Sequence, residues 1–550
     1  MLPEQHTPVK NNDVMLIAAV LSVGIFSTYL YHSILGYFFT GTDTITLIDT
    51  SRIRSIQDVT RLFTEPLMAG SKFVDIARFF RPFASLSYSI DYAVWHLNPF
   101  GFQLTNLLLN SLAACLVVVV MYSLSNRNLL FSWLSGLVFA LHPILVDSVP
   151  ATDRRHDMIA GVFVLLSLFL FLKSRPSGSN RKWLISGSLL SYVVALGGKE
   201  IAIILPLIIL VHVLTFSKVD KWLDRFFEAI RQAFPYFMVT AIYLIWRTLV
   251  LRGLGGYLTS EPSSWDDIQT YVINIFQDYF LDLVYPADPL RVFDTSIANY
   301  WIFLILAVFT FYWLLFLRSL HPEEEIVHKG QNKRLSVFLL SWLMAPLILF
   351  VVTLTFAHRS MYIPAIPFSA LLAYPLAEGL KRLINILSRI RSKSDTRLEI
   401  LKTYRSELTI LTLGLSMFSF LLLYSPLLRS YDQWEASGRI GRLVLTKLAS
   451  GTRHLNQDCR VNLYNLPSCL RSYEKKEPKA KDVTYLSDYS IKSWLNLCGF
   501  KKKLDVIIRT RSQPWDLSGE LSVAILRLGK QNLRAIVRIK PLAKKVGPVW

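Results

Sequence analysis

Long apolar runs recur along almost the whole sequence. An α-helix needs about 20 mainly apolar residues to cross a bilayer, and the runs reach or approach that length. With 52% hydrophobic residues and a mean hydropathy of +0.39, the chain is too apolar for a soluble protein. We therefore predict an all-α polytopic membrane protein with about 11 transmembrane helices. The runs fall near residues 14–36, 102–124, 129–146, 157–173, 183–198, 200–216, 234–252, 300–317, 335–357, 361–380 and 407–427.

A polar hairpin interrupts the apolar stretch 133–173. Charge in hydrocarbon is costly, so these groups must lie at the water interface or in a wet cavity. A simple connector needs few polar residues, whereas this hairpin carries both signs of charge, as binding of an anionic ligand requires. Its polar and turn residues are His142, Pro143, Asp147, Asp153, Arg154, Arg155, His156 and Asp157.

Lysine and arginine collect in alternate loops. By the positive-inside rule, the loops that hold Arg127, 173–182, 218–231, 318–334 and 381–405 are cytoplasmic. The N-terminus is then cytoplasmic, and Val14–Tyr37 is a retained signal anchor. The hairpin, loops 37–101 and 253–299 and the C-terminal domain are extracytoplasmic. We expect an integral protein of the bacterial inner membrane or an equivalent membrane.

The first outer loop is too long for a connector. Its segments 56–69 and 84–97 have mixed apolar and polar faces, which predicts interfacial helices. Segment 268–286 is a second amphipathic stretch. In the tail, a helix over 434–449 is followed by strand-like runs at 460–465, 504–509, 520–528 and 533–540. We therefore divide the chain into a transmembrane domain, 1–427, and a small α/β domain, 428–550.

The C-terminal domain carries most of the formal net charge of +20, with 24 Lys+Arg against 10 Asp+Glu. A solvated basic surface and docking on anionic membrane lipid or glycan both explain this excess. Nucleic acid is not expected as a partner. One disulfide, Cys459–Cys469, is plausible in an oxidising compartment, and Cys498 is the third cysteine of this domain.

Four motifs occur in a consistent order on the predicted outer face. They are RPFASLSYSIDYAVWHLNPFGFQLTNLLLN (81–110), Leu141-His142-Pro143 with Asp147, Gly198-Lys199-Glu200, and His358-Arg359-Ser360-Met361-Tyr362-Ile363-Pro364. Together they resemble GT-C-fold membrane glycosyltransferases, and most of all the transmembrane-and-TPR protein O-mannosyltransferases, although no TPR repeats follow here. The resemblance implies an enzyme that moves a sugar from a polyprenyl-phosphate donor onto a protein, lipid or glycan acceptor.

The resemblance also implies roles for two acids. Asp43, in the first outer loop, matches the family's general base, and the alternative is a cap of a short helix. Asp147 would orient the acceptor or hold a divalent cation, Mg²⁺ or Mn²⁺. The alternative is a structural role, in which Asp147 forms an ion pair with Arg154 or Arg155. Isolated carboxylates do not demand a metal.

Several cations lie near predicted outer span ends. Guanidinium groups bind phosphate bidentately, so a convergent set would clamp the donor phosphate; for any single one, snorkelling at the interface is the alternative. Lys199 would reach the ligand while its neighbour Glu200 favours a helix N-terminus. The candidates for the phosphate are Arg81, Arg154, Arg155, Lys199 and Arg359, and His142, His358 and Tyr362 are further site candidates.

The sequence thus predicts an inverting glycosyltransferase that acts on the periplasmic or lumenal face. A flippase for lipid-linked glycan is one alternative, but it would place charges in mid-span. A catalytically inactive scaffold is the other. Replacement of Asp43 by Asn separates an enzyme, which would lose transfer, from a scaffold, which would keep its phenotype.

Overall fold

The computed structural model describes residues 9–175, 180–257, 264–284, 326–354, 356–391, 432–452, 459–464, 486–500, 504–509, 521–527 and 533–539. The predicted spans 300–317 and 407–427 and the proposed domain boundary lie outside these residues, as does Cys469. The α-helices are α1 Val9–Tyr31, α2 Thr44–Ser51, α3 Ile56–Thr64, α4 Pro82–Trp95, α5 Pro99–Leu124, α6 Leu129–Leu141, α7 Arg155–Ser174, α8 Arg181–Gly198, α9 Leu205–Phe216, α10 Trp222–Leu251, α11 Trp265–Val284, α12 Ile326–Thr353, α13 Ala365–Arg391, α14 Asp432–Thr452 and α15 Asp488–Leu497.

Five of the described segments are long and apolar enough to cross a membrane. They are Asp13–Gly36, Pro99–Leu124, Thr152–Ser174, Trp222–Leu251 and Lys333–Thr353, and Leu129–Leu141 and Glu200–Phe216 are shorter apolar helices. Helix α10 leaves large apolar side chains exposed along its length, including Phe227, Ile242 and Trp246. Such a surface is stable against lipid but not against water.

Local sequence signals set the ends of these helices. Asn98 caps α5 by accepting a hydrogen bond from the Phe100 N–H (3.1 Å), and Pro99 takes the first helical position. Helix α6 ends at Leu141, short of the predicted 129–146, because residues that precede proline avoid the helical conformation. Pro143 instead begins a 3₁₀ turn that reaches Asp147.

The long apolar helices and the helices beside them share one continuous core. Helices α5, α6 and α7 lie at its centre, and α1, α8 and α13 pack around them. Polar segments follow the C-terminal end of α6 and precede α7, so the outer hairpin sits directly on this core. The predicted interfacial segments 56–69 and 84–97 correspond to α3 and α4.

The C-terminal residues add a sheet and two helices. Strands β3 Cys459–Tyr464, β4 Leu504–Arg509, β5 Leu521–Arg527 and β6 Leu533–Ile539 form a sheet in the order β4-β3-β5-β6. Strand β3 is parallel to β4 and β5, and β5 is antiparallel to β6. Helix α15, which the sequence analysis did not predict, lies in the crossover between β3 and β4. A short pair, β1 Ala77–Arg78 with β2 Gly256–Tyr257, joins two outer loops.

A second apolar cluster joins this region to the outer loops. Ile48 of α2, Tyr88 of α4, Val444 of α14 and Trp494 of α15 all belong to it. The burial of these side chains fixes α14 and α15 against the first outer loop.

Candidate active site

Two carboxylates from loops that are distant in the sequence meet at the start of α2. Asp43 is the residue that precedes the helix, and its N–H donates to Asp153 Oδ2 over 3.3 Å, across 110 residues of sequence. The Asp43 side chain makes no capping hydrogen bond to α2. Its Oδ1 instead accepts from the Tyr489 hydroxyl of α15 at 2.6 Å. The Asp43 carboxylate is therefore bound by a residue distant in the sequence and does not cap α2, which was the alternative role.

Buried amides on α5 hold the two acidic loops together. Gln103 Nε2 donates to the hydroxyls of Thr40 (3.1 Å) and Thr152 (3.2 Å), one from each loop. One turn later, Asn106 Nδ2 donates to the carbonyls of Val149 (3.1 Å) and Ala151 (3.3 Å). These hydrogen bonds tie both loops to α5 and so help to bring Asp43 and Asp153 together.

Gly41 allows the close approach of the two loops. Its backbone has a positive φ of 90°, and a Cβ at this position would lie 2.1 Å from Asp153 Oδ1. That oxygen is buried and accepts no hydrogen bond within the described protein. Only glycine satisfies both the backbone conformation and the space.

The surroundings of Asp43 favour its protonated form. Burial, and secondly the negative charge of Asp153, raise the pKa of Asp43 to about 6, although the Tyr489 hydrogen bond and the charges of Arg359 and Arg154 oppose the rise. A carboxyl group with a pKa near 6 is ionised at neutral pH and still binds a proton readily, which suits a general base.

Arg154 and Arg359 face this acidic pair from two different segments. Arg154 donates to the main-chain carbonyl of Asp147 and lies 5.2 Å from the Trp434 ring centroid. Arg359, in the 3₁₀ turn His358–Tyr362, donates to the Tyr257 hydroxyl. Neither guanidinium forms a salt bridge to a carboxylate in the part of the chain that the structure describes. Both guanidinium groups add positive charge near Asp43.

Arg81 and Lys199 differ from the sequence expectation because each is paired with an acid. Arg81 forms two hydrogen bonds to Glu200, from Nε (3.1 Å) and from Nη2 (2.7 Å). The expectation that Lys199 is free to reach a ligand is wrong: its Nζ contacts Asp157 and donates to Ser360 Oγ at 3.1 Å. Glu200 accordingly neutralises Arg81 as well as beginning a 3₁₀ turn.

Arg155 is enclosed by the protein. Its Nη1 lies 2.6 Å from Asp91 Oδ2, Nε donates to Asn106 Oδ1 (2.9 Å), and Nη2 donates to the Phe102 carbonyl (2.8 Å). The guanidinium also packs over the Tyr88 ring at 4.6 Å. This geometry ties α7 to α4 and α5.

The remaining candidates lie in the helical core. His142 accepts from the Ile144 N–H (3.3 Å) and its Nε2 lies 3.0 Å from the Leu283 carbonyl, so this buried ring closes the end of α6. Tyr362 is buried and donates to Asn110 Oδ1 at 3.0 Å. The side chain of His358 lies outside what the structure describes. His142 and Tyr362 therefore both form hydrogen bonds within the protein.

A divalent cation does not fit these residues well. Among the described residues, no group of three or more His, Cys, Asp or Glu is arranged to hold a metal ion. The guanidinium of Arg154 contacts the Asp147 carbonyl, and Arg154 and Arg359 bring positive charge to Asp43. Mg²⁺ or Mn²⁺ stays a prediction from the sequence, and no step proposed below passes through it.

Several residues at or near this site, including Tyr489 of α15, were not among the predicted site residues. Asp153 belongs to the noted hairpin, but its nearness to Asp43 depends on tertiary structure. Gln103 and Asn106 are polar residues inside an apolar run, which is a recognisable signal of an internal role.

Sequence comparison relates parts of the chain to known proteins. No family model matches the chain. The curated relative protein O-mannosyl-transferase TMTC2 of Homo sapiens is 25% identical over 198 residues, which are 34% of this chain and 23% of the relative. Tmtc2 of Drosophila melanogaster is 37% identical over 123 residues, 21% of this chain and 13% of the relative. The chain is similar to protein O-mannosyl-transferases. The chain spans less than a quarter of the length of these two relatives. The resemblance inferred from the motifs is confirmed.

Solved structures provide a second comparison. ArnT from Cupriavidus metallidurans in the apo state is 14% identical with a TM-score of 0.46, and the match covers 94% of this chain and 93% of that one. The Archaeoglobus fulgidus oligosaccharyltransferase in complex with Zn and sulfate is 12% identical with a TM-score of 0.46, covering 89% and 62%.

Proposed function

We propose that this protein is a membrane glycosyltransferase that moves a sugar from a polyprenyl-phosphate donor to an acceptor hydroxyl outside the cytoplasm. The observation that carries the proposal is the meeting of Asp43 and Asp153 where Arg154 and Arg359 face them. A carboxylate base and cations without acidic partners are the two components that transfer from a lipid phosphate requires.

Asp43 would act as the general base. Its carboxylate takes the proton of the acceptor hydroxyl while the hydroxyl oxygen attacks the anomeric carbon of the donor. The bond between that carbon and the phosphate oxygen breaks, and its electron pair leaves with the phosphate. Direct displacement of this kind inverts the anomeric centre. Burial, and secondly the charge of Asp153, keep the pKa of Asp43 high, so that Asp43 accepts the proton readily.

Arg154 and Arg359 would bind the phosphate. Charge develops on the leaving phosphate during transfer, and preorganised guanidinium groups stabilise that charge most in a site that excludes water. The carboxylate partners of Arg81 and Lys199 reduce the positive potential that these two side chains could add. Exposed apolar side chains on α10 and on the other spans give the polyprenyl chain and membrane lipids a contact surface.

The relatives suggest the substrates. Because the similar curated proteins are named protein O-mannosyl-transferases, we propose mannose as the sugar and a serine or threonine hydroxyl of a protein as the acceptor. The lysine and arginine distribution supports a cytoplasmic N-terminus and a site on the opposite side of the membrane.

Asp43→Asn tests the proposal against a matched control. Both variants are expressed as full chains, purified in detergent, and assayed with polyprenyl-phosphate mannose and a peptide rich in serine and threonine. We expect Asp43→Asn to lower transfer at least about 100-fold, the usual contribution of a general base. Asp49→Asn, which changes an acid of the same helix that is paired with Arg52 at 2.5 Å, should stay within about threefold of the parent.

The same pair of variants distinguishes the alternatives. Full transfer by Asp43→Asn removes Asp43 from catalysis. An inactive scaffold would show no transfer in any variant while the cellular phenotype of Asp43→Asn stays normal. A flippase would move labelled lipid-linked sugar across proteoliposomes in the absence of acceptor, which a transferase does not do.

A further inference from the structure

The C-terminal helices contact the first outer loop at its acidic residues. Tyr489 of α15 donates to Asp43 Oδ1 (2.6 Å), and Asn496 of the same helix donates to both carboxylate oxygens of Asp49 (3.0 and 2.8 Å). Ser490 Oγ donates to the Thr42 carbonyl. The residues from 42 to 49 are therefore held by side chains that lie about 450 positions later in the chain.

The second C-terminal helix contacts the other side of the site. Trp434 of α14, with only 3% of its surface exposed, packs against the Arg154 guanidinium. Gly438 lies so close that an added Cβ would be 3.3 Å from the Phe38 nitrogen. The rings of Phe38 and Trp494 meet edge to face at 6.0 Å. These contacts fix the C-terminal region against the loops that hold Asp43 and Asp153.

From this geometry we infer that Tyr489 is a positioning residue for Asp43, so that the C-terminal region completes the catalytic site. The inference rests on the proposed role of Asp43 as base. Asp43 Oδ1 is occupied by the tyrosine hydroxyl, which leaves Oδ2 to accept the proton of the acceptor. The hydrogen bond fixes the rotation of the carboxylate and stabilises its ionised form.

Four groups from three other segments face the Asp43 carboxylate. Asp153 opposes ionisation, while Tyr489, Arg359 and Arg154 favour it. Tyr489 is the one of the four that makes a direct hydrogen bond to the carboxylate, and it has no charge of its own at neutral pH. Removal of its hydroxyl therefore withdraws one stabilising bond without changing the net charge of the site.

Tyr489→Phe in the full chain is the decisive variant. We expect the acidic limb of the kcat/KM profile to move up by about one pH unit, so that transfer of mannose to the peptide falls about fivefold at pH 6 and about tenfold at pH 5, and stays within threefold at pH 8.5. Site-specific 3-fluorotyrosine at 489, a stronger donor of nearly the same shape, should move the limb down. Asn496→Ala, which loosens the same helix at Asp49, should leave the limb in place.

Each result supports or overturns the inference. The role of Tyr489 alone is overturned if Asp43→Asn is inactive but neither Tyr489→Phe nor 3-fluorotyrosine at 489 moves the acidic limb of the kcat/KM profile. Equal shifts in Tyr489→Phe and Asn496→Ala would show that helix docking, not this hydroxyl, controls Asp43, and would also overturn it. Full activity of Asp43→Asn would overturn the proposed base and the inference together. If Tyr489→Phe does not fold, the 3-fluorotyrosine profile decides.

Discussion

The Arg155 guanidinium and the Asp91 carboxylate form a 2.6 Å salt bridge in which the side chains are 0% and 7% exposed. Removing one partner of such a buried pair leaves an uncompensated charge, at a cost of about 3–5 kcal/mol. We therefore predict that Asp91→Asn sharply lowers the melting temperature in detergent. Arg155→Met/Asp91→Asn should be more stable than Asp91→Asn. A folded, stable Arg155→Met that has lost only donor binding would instead make Arg155 a phosphate ligand.

The activity should depend on pH through Asp43. Because its pKa is about 6 and its ionised form is the base, kcat/KM should fall about tenfold per pH unit below that value and level off above it. The contribution of Asp43 to the free energy of unfolding has the opposite pH dependence. A raised carboxyl pKa favours the folded state most below the unfolded pKa near 3.8, and this contribution is lost as the pH rises through about 6.

It follows that Asp43→Asn, although inactive, should melt at or above the temperature of the parent at pH 7.5. Thermal unfolding of the two proteins in the same detergent measures this difference. A variant that melts several degrees below the parent at this pH would indicate that the ionised carboxylate stabilises the fold.

Gly41 and Gly70 offer a matched pair of glycines. Both have positive φ, 90° and 82°, but an added Cβ meets Asp153 at Gly41 and nothing within 4 Å at Gly70. Alanine at either position costs about 1 kcal/mol of backbone strain. We predict that only Gly41→Ala also displaces Asp153 and reduces transfer by more than about tenfold. Equal activities of the two variants, measured per folded molecule, would contradict this role.

Arg359 should contribute to donor binding. A hydrogen bond to a charged group contributes about 1.5–3 kcal/mol, which corresponds to about 10- to 100-fold. We expect Arg359→Gln to weaken inhibition by polyprenyl phosphate by this factor. Arg61→Gln, which changes an exposed arginine that is paired with Asp58 and Glu65, is the control. An unchanged inhibition constant in Arg359→Gln would remove Arg359 from the phosphate site.

The sequence predicted the elements better than it predicted the partners of the charges. Apolar length located α5 and α7 to within about three residues, because the bilayer selects for that property alone. The residue type at Arg81, Arg155 and Lys199 indicated a cation, yet each is paired with a carboxylate. Such pairing depends on which helices become neighbours, and the hydrophobic periodicity of a single segment does not reveal this. Orientation in the membrane and the division at 427 stay predictions.

Asp43 itself was identified by its place in a motif, whereas Asp153 and Tyr489 were not. Their proximity arises only after α5 has joined the two loops and α15 has packed on α2. Helix α15 is short, and its signal was hidden between strand-like runs.

The separation of 446 residues between Asp43 and Tyr489 has a consequence for biosynthesis. The ribosome makes the proposed base long before its hydrogen-bond donor, so a nascent chain that has already inserted its first helices still lacks a finished centre. A product truncated before α15 would occupy the membrane without a properly oriented base.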